Sequence, residues 1–207
     1  MATAVKICGI TRPEDALAAA RAGAHAIGLV FYDKSPRCVS PARAAEIVRV
    51  LPPFITPVGL FVDAGAETVR KVLKEVPVTL LQFHGSEPPE FCRQFARPYI
   101  KAVRMRAGVD LLQYARDFHD AKGLLLDTYV EGLHGGSGTA FDWGLIPREL
   151  PLPVIVSGGL TAESVGEAVR RVRPCAVDVS SGVESAKGVK DAARIAAFIK
   201  GVRNADG

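Results

Sequence analysis

Val5-Lys6-Ile7-Cys8-Gly9-Ile10-Thr11 reads as a short strand that stops at a thiol and is released by a glycine. Val5 and Ile7 share one face by the period of two, and Lys6 and Cys8 share the other. Directly after it, Thr11-Arg12-Pro13-Glu14-Asp15 has the composition of a helix start, with Thr11 as the cap and a proline in the first turn. The alanine-rich helix that follows runs to Gly23, a C-cap. A strand that passes at once into a helix is half of a βαβ unit, so the fold depends on how often the unit recurs.

It recurs seven times. Apolar strands are expected over 25–31, 57–63, 78–83, 99–105, 123–127, 154–157 and 175–181. Between them, helices are expected from Ser40-Pro41, over 66–75, 87–95 and 109–118, then a short, poorly marked sixth helix. The last two run from Thr161 to 172 and over 189–202. The strands are near-continuous apolar runs of the kind buried on both faces. Strands alternating with helices imply a parallel sheet. Eight of them imply an α/β fold of the (β/α)8 TIM-barrel type, at the small end of its size range. A doubly wound open sheet is the structural alternative. No linker, charge run or low-complexity segment divides the chain, and 207 residues at 48% hydrophobic content fit a single barrel domain over 1–207.

Composition closes off several functions. The 26 basic and 22 acidic residues leave a net charge of only +4, and the cations are scattered, so nucleic acid is not an expected partner. No apolar run approaches the roughly 18 residues a membrane helix needs, and no signal peptide is expected before the first strand. Cys8, Cys38, Cys92 and Cys175 are far apart, with no CxxC pair and no histidine at metal spacing. Free thiols in a cytoplasmic protein, and no metal, are the expectation.

In a barrel the working face is where the strands end. Strand one brings Cys8 there, strand four Gln82 and His84, strand six Asp127, and strand eight Asp178 and Ser180. Singly each has an ordinary reading: a buried thiol, a turn-forming aspartate, a hydrogen-bonded loop histidine. Together they put a thiol, a carboxyl group, an imidazole and an amide on one rim. Lys6, two residues from Cys8 on the same face, is expected to lower the thiol pKa from about 8.5 toward neutrality. Ser157-Gly158-Gly159-Leu160 and Ser180-Ser181-Gly182-Val183-Glu184 end strands seven and eight. Phosphate sites in barrels use those two loops, where glycine lets backbone N–H groups come close. Arg37, in the loop after strand two, could pair bidentately with a ligand carboxylate. Gly135-Gly136-Ser137-Gly138 lacks the strand-before, helix-after setting of a nucleotide loop and reads as a flap over the site.

These residues resemble the phosphoribosylanthranilate isomerase family of tryptophan biosynthesis. The resemblance is carried by Lys6-Ile7-Cys8-Gly9-Ile10-Thr11, Ser35-Pro36-Arg37, Gln82-Phe83-His84-Gly85, Leu126-Asp127, Gly138-Thr139-Ala140-Phe141-Asp142-Trp143, Ser157-Gly158-Gly159-Leu160 and Val177-Asp178-Val179-Ser180-Ser181-Gly182-Val183-Glu184. It spans essentially the whole chain. Ser137, Ser157, Ala162, Ser164 and Ala186-Lys187 depart from the family's usual residues, and none of them is the acid or the base. The resemblance implies a cofactor-free Amadori rearrangement of N-(5′-phosphoribosyl)anthranilate to the 1-deoxyribulose 5-phosphate product. It implies Asp127 as general acid, Cys8 as general base and Arg37 on the anthranilate carboxylate. Gln82, His84 and Asp178 would also face the substrate, with the phosphate on Gly158, Gly159, Ser180, Ser181 and Gly182. Asp127 must hold a proton in order to donate it.

Rival readings are the histidine-pathway isomerase, which has an aspartate where Cys8 stands, and indole-glycerol-phosphate synthase, which needs a catalytic lysine. A barrel that binds phosphate ligands without turnover is a rival of another class, and retention of both Cys8 and Asp127 speaks against it. A thiol redox protein lacks a resolving cysteine. The expected partner is a small-molecule substrate, with the chain a monomer or homodimer.

Overall fold

Strand and helix alternate along the chain in the computed structural model, which describes residues 2–128 and 141–207. The order is β1 (Ala4–Ile7), α1 (Pro13–Ala22), β2 (Ala26–Val30), α2 (Pro41–Arg49), β3 (Thr56–Phe61), α3 (Ala66–Glu75), β4 (Leu80–Phe83), α4 (Pro89–Arg93), β5 (Tyr99–Met105), α5 (Leu111–Asp117) and β6 (Leu124–Thr128). A single 3-10 turn (Trp143–Leu145) follows, then β7 (Val154–Val156), α6 (Val165–Val172), β8 (Ala176–Val179), a hairpin of β9 (Glu184–Ala186) and β10 (Val189–Lys190), and α7 (Ala192–Ala205). Strands β1 to β8 form a closed parallel barrel in sequence order. The open-sheet alternative is thereby excluded. Closure is made by β1 against β8, where Lys6 pairs in register with Asp178.

The alternation read in β1 sorts the side chains into two layers. Val5 and Ile7 join the large cluster packed under the helices, with Ile27, Leu29, Leu81, Phe83, Val177 and Val179 among its members. Cys8 instead packs with Val30, Leu60 and Val62 at one end of the barrel interior. Ile100, Ala102, Leu125 and Ile155 form a separate apolar group. In β6, Leu124 and Leu126 face the outer layer while Leu125 belongs to the inner group. Asp127, two residues on, therefore lies on the inner side. Burying each large aliphatic side chain of these layers stabilises the fold by about 1.5–3 kcal/mol, so each strand's register is strongly specified.

Several helix ends follow local chemistry. Ser40 accepts from the N–H of Arg43 at 3.2 Å, Asp110 from Gln113 at 2.9 Å, and Gly23 closes α1 at φ 99°, a conformation that L side chains avoid. One expected cap is corrected. The Thr11 hydroxyl does not cap α1; it donates to Gly188 O, leaving Arg12 at the N-cap without a side-chain capping bond. Helix α6 starts at Val165, and Thr161 caps the turn that leads into it: its Oγ1 accepts from the Ser164 N–H at 3.4 Å while its own N–H donates to Ser164 Oγ at 3.0 Å. The helix expected from residue 189 begins instead at Ala192, because Val189 and Lys190 pair with β9. The sixth helix is reduced, among the described residues, to the 3-10 turn. Gly135-Gly136-Ser137-Gly138, read as a flap, lies outside the described residues.

Candidate active site

The β1, β2, β4, β6, β7 and β8 ends open on one cleft of about 690 Å3, part of it open solvent. Cys8, Gln82, His84, Asp127 and Asp178 line it, as do Arg37 and, on the glycine loops, Gly158, Gly159, Ser180, Ser181 and Gly182. Every residue singled out in the sequence for the site is thus at one mouth. Ser35, Tyr32 and Ser157 complete its polar lining.

The wall that carries Cys8 is ionic. Lys6 and Asp178, each about 5% exposed or less, meet across the β1–β8 seam with Nζ 2.7 Å from Oδ1. The other oxygen, Oδ2, accepts from Ser157 Oγ at 3.1 Å. Both Asp178 oxygens are therefore engaged by the protein, and its first duty is to hold Lys6. Burial pulls the Lys6 ammonium down, but Asp178 and then Cys8 outweigh it, and the group stays charged above its ordinary value. The thiol behaves contrary to the sequence expectation. Burial raises the Cys8 pKa by more than Lys6 lowers it, and Asp178 adds to the rise. A cation two residues away is present as foreseen; the depth of the thiol, which sequence does not report, decides the sign. Gly28 makes this wall possible, because a Cβ there would lie 2.7 Å from Cys8 Sγ and 3.2 Å from Lys6 Cε.

Opposite, the wall of Asp127 is a chain of hydrogen bonds. Gln82 Nε2 lies 2.8 Å from His84 Nδ1, and His84 Nε2 lies 3.1 Å from Asp127 Oδ2. Asp127 Oδ1 accepts from the Thr128 N–H at 3.0 Å. Among the described residues the buried Gln82 amide has a partner at one end only, and its Oε1 has none. Turning the amide would instead strand two N–H donors, the costlier arrangement. Gln82 therefore donates to Nδ1, which puts the ring proton on Nε2, donating to Asp127. Gln82 acts on Asp127 through His84.

The third side is the pair of glycine loops. Gly158 and Gly159 both take positive φ, 82° and 66°. A Cβ at Gly158 would strike Thr128 and come within 2.8 Å of Asp127 Oδ1, and one at Gly182 would strike Leu160 O. Gly158 thus lets the loop after β7 close on the end of β6, and Gly182 lets the loop after β8 close on the Leu160 carbonyl; neither approach tolerates a Cβ.

Arg37 is placed on the rim but is not free. Its Nε and Nη2 donate to the two oxygens of Glu184 at 2.7 and 2.8 Å, and this bidentate bond raises its pKa further. Glu184 in turn accepts from Lys190 Nζ at 2.8 Å. Lys190 also donates to Ser180 O at 3.0 Å and Ser180 Oγ at 3.3 Å. Burial alone would raise the Glu184 carboxyl, but its bonds to Arg37 and Lys190 hold it below the usual range. Neither Glu184 nor Lys190 was singled out from the sequence, although Glu184 closes the Ser180–Glu184 motif. The available signal was the Lys187-Gly188 pair between two short strand-like runs, a hairpin signature. Among the described residues no group of three His, Cys, Asp or Glu could hold a metal ion, and no helix is long and apolar enough to cross a membrane.

A (β/α)8 barrel with a thiol, a carboxyl group and two glycine loops around one cleft defines a class, the barrel enzymes that work by acid–base chemistry on small phosphorylated substrates. A family model described as N-(5′phosphoribosyl)anthranilate (PRA) isomerase matches residues 5–201. The N-(5′-phosphoribosyl)anthranilate isomerase of Dechloromonas aromatica is 59% identical over 206 residues, covering 100% of this chain and 99% of that one. The crystal structure of phosphoribosyl anthranilate isomerase from Thermotoga maritima superposes with a TM-score of 0.90 at 43% identity, over 98% of this chain and 99% of that one. A second such isomerase, in complex with reduced 1-(o-carboxyphenylamino)-1-deoxyribulose 5-phosphate, gives 0.86 at 42% identity with the same coverage. The chain belongs to the N-(5′-phosphoribosyl)anthranilate isomerase family, enzymes of tryptophan biosynthesis.

Proposed function

We propose that this isomerase converts N-(5′-phosphoribosyl)anthranilate to 1-(2-carboxyphenylamino)-1-deoxyribulose 5-phosphate with Asp127 as general acid and Cys8 as general base, without a cofactor. Asp127 gives its proton to the ribose ring oxygen, the C1′–O bond breaks, and the anilino nitrogen supplies the electron pair for a C1′=N iminium. The Cys8 thiolate then removes the C2′ proton. The electrons of that bond form C1′=C2′ and return the pair to nitrogen, giving the enolamine. Protonation at C1′ by the Cys8 thiol and loss of the 2′-hydroxyl proton to the Asp127 carboxylate yield the ketone. Both groups are thereby restored to their starting states, so no outside proton donor is consumed.

The observation that carries this reading is the placement of the two groups on β1 and at the end of β6, facing one cleft between different walls. An acid and a base on opposite sides of a bound sugar are what aldose–ketose isomerisation requires. The raised Cys8 pKa makes the thiolate scarce at neutral pH but strongly basic once formed, and the buried Lys6 ammonium beside it stabilises it when the proton leaves. We assign the substrate phosphate to the glycine loops with Ser180 and Ser181, which line the same cleft, and the anthranilate carboxylate to Arg37. The substrate of the family is a small molecule; we read the chain further as one catalytic domain, a cytoplasmic monomer or homodimer that binds neither nucleic acid nor membrane.

The test is loss of phosphoribosylanthranilate fluorescence, with substrate generated in situ, for wild type, Cys8→Ala and Asp127→Asn. Turnover by wild type that collapses in both variants supports the assignment. Near-full activity in Asp127→Asn removes Asp127 as the acid.

A further inference from the structure

Arg37 cannot receive a substrate carboxylate on the strength of its own charge, because Glu184 already occupies its fork. A bidentate arginine–carboxylate pair is close to neutral overall, and a second carboxylate gains little from approaching it. What changes the balance is Lys190, which is 4% exposed and is not among the residues lining the cleft. Its Nζ shares Glu184 Oε1 with Arg37 Nε, so the cluster contains two cations and one anion and carries a surplus of one positive charge. A third cation, Arg194, donates its Nη1 to the Glu184 backbone carbonyl and not to the carboxylate, and the Lys190 backbone N–H donates to Asp15 Oδ2, where Asp15 is itself paired with the fork of Arg12.

We propose that Lys190 is a positioning residue for the isomerase reaction, one that leaves Arg37 with the surplus charge needed to receive the substrate carboxylate. It does so without touching the ligand. Its remaining donors hold Ser180, on the phosphate side of the cleft, so one ammonium group fixes both the charge at one end of the substrate and the loop at the other. The cleft is thereby matched to a ligand with an anion at each end. The inference rests on Arg37 facing the carboxylate, as set out above.

The experiment is a charge cycle on the full chain. Lys190→Met makes the cluster neutral, Glu184→Gln raises its charge, and the double variant restores a surplus of one. Each is assayed for KM and kcat with phosphoribosylanthranilate, and for inhibition by inorganic phosphate as a probe of the glycine loops alone. Lys190→Met is expected to raise KM about tenfold or more with kcat within about threefold, and, because its bonds to Ser180 are lost too, to weaken phosphate inhibition as well. The double variant is expected to bind substrate better than Lys190→Met, a recovery that accumulated structural damage would not produce. Both variants lack the Ser180 bonds, so phosphate inhibition is expected to stay weakened in the double variant while KM recovers; a double variant as weak as Lys190→Met in KM overturns the proposal. Should Lys190→Met not fold by thermal melting, Lys190→Gln takes its place in the same cycle. A wild type without turnover would defeat the isomerase reading instead, so the two failures are told apart.

Discussion

The two walls of the cleft solve different problems with different materials. The Cys8 wall uses full charges, Lys6 against Asp178, set deep in the barrel at the seam between the first and last strands. The Asp127 wall uses neutral donors, an amide that fixes a ring and a ring that fixes a carboxyl group. A base that must become an anion in a dry site needs a compensating cation close by. An acid that must be rebuilt at every turnover needs a fixed orientation, and a strong charge beside it would commit it to one state. The contrast shows why one side of the mouth can be assembled from ions and the other from dipoles.

Deleting either reacting group should break the contrast most severely. Cys8→Ala and Asp127→Asn should each lower kcat by about 10²–10⁴-fold, measured by the fluorescence assay, with thermal melting to show that the barrel persists. His84→Ala should cost about 10- to 100-fold in kcat, because Asp127 remains but is no longer held. If Gln82→Met costs nearly as much as His84→Ala, the two act as one unit; if Gln82→Met is silent, the amide does not orient the ring.

Gly28→Ala probes the packing of the ionic wall. The new methyl group must displace the thiol or Lys6, and a loss of about 1–3 kcal/mol in urea unfolding is expected from overpacking, together with a fall in kcat. The pH dependence then sharpens the electrostatic side. Since the Cys8 pKa is raised, the ultraviolet thiolate absorbance that is lost in Cys8→Ala should still be climbing as pH passes the ordinary thiol value of about 8.5. An absorbance that levels off near neutrality would show that Lys6 wins over burial after all.

The smallest effect concerns stability. The Glu184 carboxyl is held below its ordinary value, so its contribution is present above about pH 4.3 and is lost as pH falls through the folded-state value. Wild type should therefore melt higher than Glu184→Gln at pH 7, and the gap should hold down to about pH 4.3 and narrow only on acidification below it.

Sequence legibility divides along the same line as the chemistry. The period of two in Val5–Cys8 separated the two faces of the first strand, and Asp127 was legible from its place at the end of the sixth. The glycine loops were legible from their place after β7 and β8. What was not legible is what depends on depth or on partners far along the chain. Thr11 has the composition of a cap, but Gly188, 177 residues away, takes its hydroxyl. Lys6 has the spacing of a thiol activator, but spacing does not report how dry the thiol is. Glu184 and Lys190 sit in a hairpin of three and two residues, too short for periodicity to separate it from the helix that follows.

The Lys6–Asp178 pair joins residues 172 apart in the chain, and Thr3 is clipped to Asp206 by bonds of 2.8 and 2.6 Å over a still longer separation. Lys6 is therefore made long before its partner, and the ion pair beside Cys8 cannot form until β8 has been synthesised. A chain stopped before β8 would carry the proposed base and Lys6 without the carboxylate that holds that cation in place.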